Sequence, residues 1–88
     1  MNLEEIRSQI DCVDEQLVSL LEQRMSLVSQ VAVLKKNAGK VVFDPAREKK
    51  VLEKTAALIE NKEFKEAILD TFSDILKNSR VYQNKKRT

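Results

Sequence analysis

From Leu3 to Leu34, apolar side chains recur at alternating steps of three and four: Leu3, Ile6, Ile10, Val13, Leu17, Leu20, then Arg24, then Leu27, Val31 and Leu34. A repeat sustained over so many turns predicts one long helix with a seam that packs on a partner. Arg24 stands where the seam calls for leucine. A cation buried alone is costly, so it must be paired or must hold a ligand. The adjacent column, Arg7, Asp14, Leu21, Val28 and Lys35, brings two more cations to the same apolar face. Three cations on a core-facing stripe point to a buried pocket for a small anion.

The remaining pattern is also helical. The chain has 88 residues, with one Gly, one Pro, no Trp and 42% hydrophobic residues, which fits a single all-α domain over 1–88. Helix 1 is expected over about 3–36, capped by Asn2 with Glu5 and stopped by Asn37 and Gly39. Asp44 and Pro45 open helix 2, expected over about 45–60, with Val51, Leu52, Thr55, Leu58 and Ile59 inward. Asn61 and Lys62 form a turn. Helix 3 is expected over about 63–83, with Phe64, Ala67, Ile68, Thr71, Phe72, Ile75 and Leu76 inward. Val41-Val42-Phe43 should tuck against the core, and the basic tail Asn84–Thr88 should fray.

Length then implies assembly. Helix 1 would run roughly 50 Å, whereas a compact globule of this size is about 30 Å across. Two shorter helices cannot cover its stripe, so a homodimer with the long helices packed together is the simplest remedy. Arg24 and Lys35 lie about 16 Å apart along the axis on nearly one azimuth and can bracket a small ligand. Arg7 is about 25 Å from Arg24, too far to join them within one chain. In an antiparallel dimer with its two-fold near residue 18, the partner's Arg7 falls opposite residue 29, between the two. Such a dimer has two equivalent sites, each built from both chains.

Other polar residues fit that picture. Ser79 and Gln83 extend the inner face of helix 3, while Asp44 and Glu48 share a face at the start of helix 2, with Arg47 beside them. Cations, two carboxylates, a hydroxyl and an amide suit a ligand bearing two carboxylates and a hydroxyl. No nucleophile–base pair is evident. The absence of His excludes His acid–base catalysis, and with only Cys12 beside it a transition-metal site is not expected. A net charge of +2 gives no bulk field for nucleic acid. No apolar run is expected to span a membrane, the N-terminus does not read as a signal peptide, and the single Cys suits a reducing, cytoplasmic location.

The segments Ile6-Arg7-Ser8-Gln9-Ile10-Asp11-x-x-Asp14, Leu20-Leu21-Glu22-Gln23-Arg24, Val31-Ala32-x-x-Lys35, Asp44-Pro45-x-Arg47-Glu48 and Ser79-x-x-x-Gln83 resemble, in order and spacing, the all-helical (AroQ-type) chorismate mutases. The resemblance implies an intertwined homodimer of three-helix chains without a cofactor, acting on chorismate in phenylalanine and tyrosine synthesis. It implies that Arg24 and the partner's Arg7 bind the two substrate carboxylates, with Ser79 touching one. It further implies that Lys35 and Gln83 hydrogen-bond the ether oxygen, that Asp44 and Glu48 meet the ring hydroxyl or its surroundings, and that Arg47 orders the start of helix 2.

Residue by residue, other readings stay open. Arg24 alone suits a register-setting polar residue, Lys35 a helix-end cation, Arg47 and Glu48 a surface pair, and Ser79 and Gln83 a helix end. Asp14 suits a structural carboxylate offered to a nearby cation. An isochorismate pyruvate-lyase would carry much the same cations, and a non-catalytic helical dimerisation module would carry the same seam.

Overall fold

The computed structural model describes residues 1–87. Helix α1 spans Leu3–Asn37, α2 Pro45–Leu58 and α3 Lys65–Arg87, with a 3₁₀ turn at Lys62–Phe64 before α3. No strand occurs among the described residues.

Each boundary has a local cause. The Asn2 side chain accepts from the Glu5 N–H at 2.9 Å while the Glu5 carboxylate accepts from the Asn2 N–H at 3.3 Å, closing a capping box. α1 stops at Gly39, whose φ of +67° is left-handed and strain-free only without a Cβ. There the Gly39 and Lys40 N–H groups return to the Lys36 and Lys35 carbonyls at 3.1 and 2.8 Å. Asp44 accepts from the Arg47 N–H at 3.0 Å, with Pro45 in the first turn of α2.

α2 ends at Leu58, short of the expected 60, because Ile59 is extended at φ −72° and ψ 116°. Lys62 Nζ satisfies the exposed end by donating to the Ala56 and Ile59 carbonyls at 3.3 and 2.5 Å. α3 runs past the expected 83, and the tail is helical through Arg87; Thr88 lies outside the described residues. Two tethers hold that last turn. Lys86 donates to the Ser29 hydroxyl, and Arg87 Nη1 donates to the Lys40 carbonyl at 2.6 Å.

α3 packs along both α1 and α2, while α1 and α2 do not pack on each other. The core is small: Ala32, Val42, Ile59 and Leu76, with Thr55, Ser79 and Gln83. On α1 the shielded side chains are Leu21, Arg24, Met25, Val28, Ser29, Ala32 and Lys35, of which only Arg24 belongs to the seam. The seam itself, expected to face the core, is bare. Every apolar member from Leu3 to Leu34 is exposed, Leu20 by 60% and Leu27 by 61%. Leu58, Phe64, Ala67, Ile68 and Thr71, expected inward, are exposed as well, as are Val41 and Phe43, whereas Val42 is buried. Three helices in one chain make a single layer on α3, and among the described residues nothing lies over these faces.

The molecule measures 54 × 24 × 15 Å with a radius of gyration of 16.0 Å, against about 12 Å for a compact chain of this length. Contrary to the sequence reading, α1 is long and apolar enough by length and composition to cross a membrane, its best window reaching a mean hydropathy of 1.2. Its apolarity is one-sided, however. Glu4, Ser8, Asp11, Glu15 and Glu22 occupy the face opposite the seam, the pattern of a helix laid against protein.

Candidate active site

The gap between α1 and α2 is a half-open cleft of about 290 Å³, floored by α3. α1 contributes Arg24 and Lys35, separated by Val28 and Val31. The start of α2 contributes Asp44, Arg47, Glu48 and Val51, and α3 contributes Leu76, Ser79, Arg80 and Gln83. Val42 closes one end. Helical spacing explains the convergence: Leu76, Ser79 and Gln83 lie three and four residues apart on one face of α3, the face turned to the core.

Arg24 Nη1 donates to the Ser79 hydroxyl at 2.7 Å, and that hydroxyl donates in turn to the Ile75 carbonyl at 2.8 Å. Ser79 is only 5% exposed, so its single proton is committed and its oxygen is free to orient Arg24. Lys35 Nζ donates to the Val42 carbonyl at 2.6 Å. Among the described residues neither Arg24 nor Lys35 has a carboxylate partner. Each therefore keeps N–H groups for a ligand. Burial, and secondarily repulsion from Arg47, push the Arg24 guanidinium below its ordinary range. It remains a cation at neutral pH. Gln83 is 7% exposed, and its Oε1 is buried with no hydrogen-bond partner. A buried amide oxygen without a partner, beside two cations that lack carboxylate partners, is a site shaped for a polar ligand.

Seven of the eight residues singled out in the sequence line this cleft: Arg24, Lys35, Asp44, Arg47, Glu48, Ser79 and Gln83. Arg7 does not. It lies about 25 Å away along α1, exposed, with Nη1 3.2 Å from Glu4. Glu48 does not pair with its neighbour Arg47; it pairs with Arg80 of α3. Asp14 has no ion pair among the described residues. Arg80 was missed, as was the Val42 carbonyl. The available signal for Arg80 was its position one residue after Ser79 and three before Gln83, but its partners lie in other elements.

The cleft thus holds four cations and two carboxylates around apolar walls, an arrangement that can receive a small dianion. The family model described as chorismate mutase type II matches residues 6–84. The chain belongs to that family. It is 30% identical over 82 residues to the chorismate mutase of Methanocaldococcus jannaschii, covering 92% of this chain and 83% of that protein. It is 31% identical over 80 residues to the bifunctional chorismate mutase/prephenate dehydratase of Aquifex aeolicus, covering 84% of this chain and 22% of that one. Against the T-protein of Haemophilus influenzae it is 41% identical over 46 residues, 52% of this chain and 12% of that protein. The chain therefore spans well under half the length of the last two relatives. As a chorismate mutase type II domain it places Arg24, Lys35 and Gln83 together in one cleft.

Proposed function

We propose that the chain is a chorismate mutase, converting chorismate to prephenate for phenylalanine and tyrosine synthesis. The reaction is an intramolecular [3,3] rearrangement: the ether C–O bond breaks as a C–C bond forms, with no proton or electron exchanged with the protein. That suits a cleft without a nucleophile–base pair. Two effects lower the barrier. Arg24, its fork set by Ser79, and the partner's Arg7 clamp the substrate carboxylates and hold the enolpyruvyl arm over the ring. Lys35 and Gln83 then supply preorganised donors to the ether oxygen, where negative charge grows as the bond breaks. For this the Gln83 carboxamide presents its NH₂. Asp44 and Glu48 receive the ring hydroxyl, and Arg47 orders the start of α2.

The observation that carries this reading is the convergence in one cleft of Arg24 and Lys35, neither with a carboxylate partner among the described residues, and the buried Gln83 carboxamide. The dimer is part of the proposal. The bare seam of α1 supports it, since burying each Leu, Ile or Val is worth about 1.5–3 kcal/mol. So does Arg7, stranded outside its own chain's cleft.

The test is to mix purified protein with chorismate, follow its loss by ultraviolet absorbance, and identify the product after acid conversion of prephenate to phenylpyruvate. Turnover to prephenate that Arg24→Ala abolishes is the expected result. Pyruvate and salicylate formed from isochorismate would instead mark a lyase. A folded dimer inert to both substrates, in which Arg24→Leu changes only stability, would mark a dimerisation module.

A further inference from the structure

Arg80 is the cation of the cleft that the proposed chemistry leaves without a task. It sits on α3, and its Nη1 pairs with Glu48 Oε1 on the first turns of α2. The pair is largely withdrawn from solvent, with 31% of the Arg80 side chain and 21% of the Glu48 side chain exposed. The same guanidinium lies 5.1 Å from the centroid of the Phe43 ring, within cation–π range. Phe43 directly precedes Asp44, the cap of α2. One side chain thus ties α3 to both the loop end and the first turn of the helix that carries Asp44, Arg47 and Glu48.

The charge balance gives this a purpose. A cleft for a dianion gains a hydroxyl acceptor from Glu48 but also gains a negative charge near the ligand. Inside a partly desolvated site that like charge is felt strongly. Arg80 cancels it and fixes the carboxylate's direction. We propose that Arg80 is a positioning residue that acts through Glu48, neutralising and aiming its carboxylate so that the cleft can accept a dianionic substrate bearing a ring hydroxyl. This rests on the mutase reading above.

The test is steady-state kinetics on chorismate with four proteins: wild type, Arg80→Met, Glu48→Gln and the double variant, with helicity checked by circular dichroism. Arg80→Met leaves Glu48 as an uncompensated anion, so KM rises about tenfold while kcat stays within about twofold, the signature of lost binding shared by ground and transition states. Removing the charge of Glu48 as well reverses the loss: the double variant has the KM of Glu48→Gln alone. Arg80→Lys, which keeps the charge but not the planar fork, falls between wild type and Arg80→Met. If wild type turns over chorismate and Arg80→Met is unaffected, the proposal is overturned while the mutase reading stands. A double variant worse than both single variants would also overturn it, because Arg80 would then touch the substrate directly. A wild-type chain that does not consume chorismate overturns both.

Discussion

The Lys35 ammonium lies 2.6 Å from the backbone carbonyl of Val42, so the end of α1 is bound to the loop that closes the cleft. Val42 is buried and its neighbours Val41 and Phe43 are not. One of three ammonium donors serves that carbonyl, and the others remain for the cleft. Lys35→Ala therefore removes a tether and the proposed catalytic donor at once, and the two losses differ in size. One hydrogen bond contributes about 1 kcal/mol, a few degrees of Tm in a domain this small. Loss of a donor to developing charge lowers kcat by about 10²–10³-fold. Melting curves and initial rates on the same preparation check the ratio. An active Lys35→Ala enzyme would remove Lys35 from the mechanism.

Gln83 sets the pH dependence. Its amide does not titrate, and Arg24, though pushed downward by burial and by Arg47, stays charged through the neutral range. Activity should vary little between about pH 6 and 8. Gln83→Glu puts a titrating group at the same buried position, where only the protonated carboxyl can donate. That variant should be nearly inactive at neutral pH and recover as pH falls. A pH–rate profile of the two proteins checks this; a wild-type profile rising steeply toward acid would point to a carboxyl donor already in the site.

The proposed sharing of sites between two chains makes a quantitative prediction. Arg7→Ala and Lys35→Ala homodimers should each be inactive. A heterodimer of the two carries both lesions in one site and none in the other. Random re-pairing of equal amounts makes half the dimers mixed, so about a quarter of wild-type activity should return. Unfolding and refolding the variants together, then assaying, checks it. No recovery would mean that Arg7 serves its own chain or none.

Tyr82 is the single tyrosine and the chain has no Trp, so its phenol can be titrated by ultraviolet difference absorbance. Hydrogen bonding with Ser29 lowers its pKa from the ordinary value of 10.0; burial opposes this, and the Lys86 charge adds a lesser lowering. A lowered folded-state value means the folded chain releases this proton first. The linked stabilisation is present above the unfolded pKa and is lost as pH falls through the folded one, so it is absent at neutral pH. Ser29→Ala should move the titration upward toward the unfolded value. An unchanged curve would show that the contact among Ser29, Tyr82 and Lys86 does not hold in solution.

Both ends of α1 and the start of α2 were legible because their causes are local. Asn2 with Glu5, Gly39, and Asp44 with Pro45 act within four residues of where they stand, and backbone geometry leaves them few alternatives. Periodicity likewise showed which side chains share a face, and hence brought Arg24, Lys35, Ser79 and Gln83 forward as candidates. The extension of α3 to Arg87 was not legible, since it depends on Lys86 reaching Ser29 and Arg87 reaching Lys40 across the fold. Nor was the pairing of Glu48 with Arg80, 32 residues away, in place of adjacent Arg47. Local hydrogen bonds and the helical repeat are properties of consecutive residues, so the sequence alone determined three helices and a polar stripe. Which cation meets which carboxylate depends on how α3 lies between α1 and α2, and only the tertiary structure decided that.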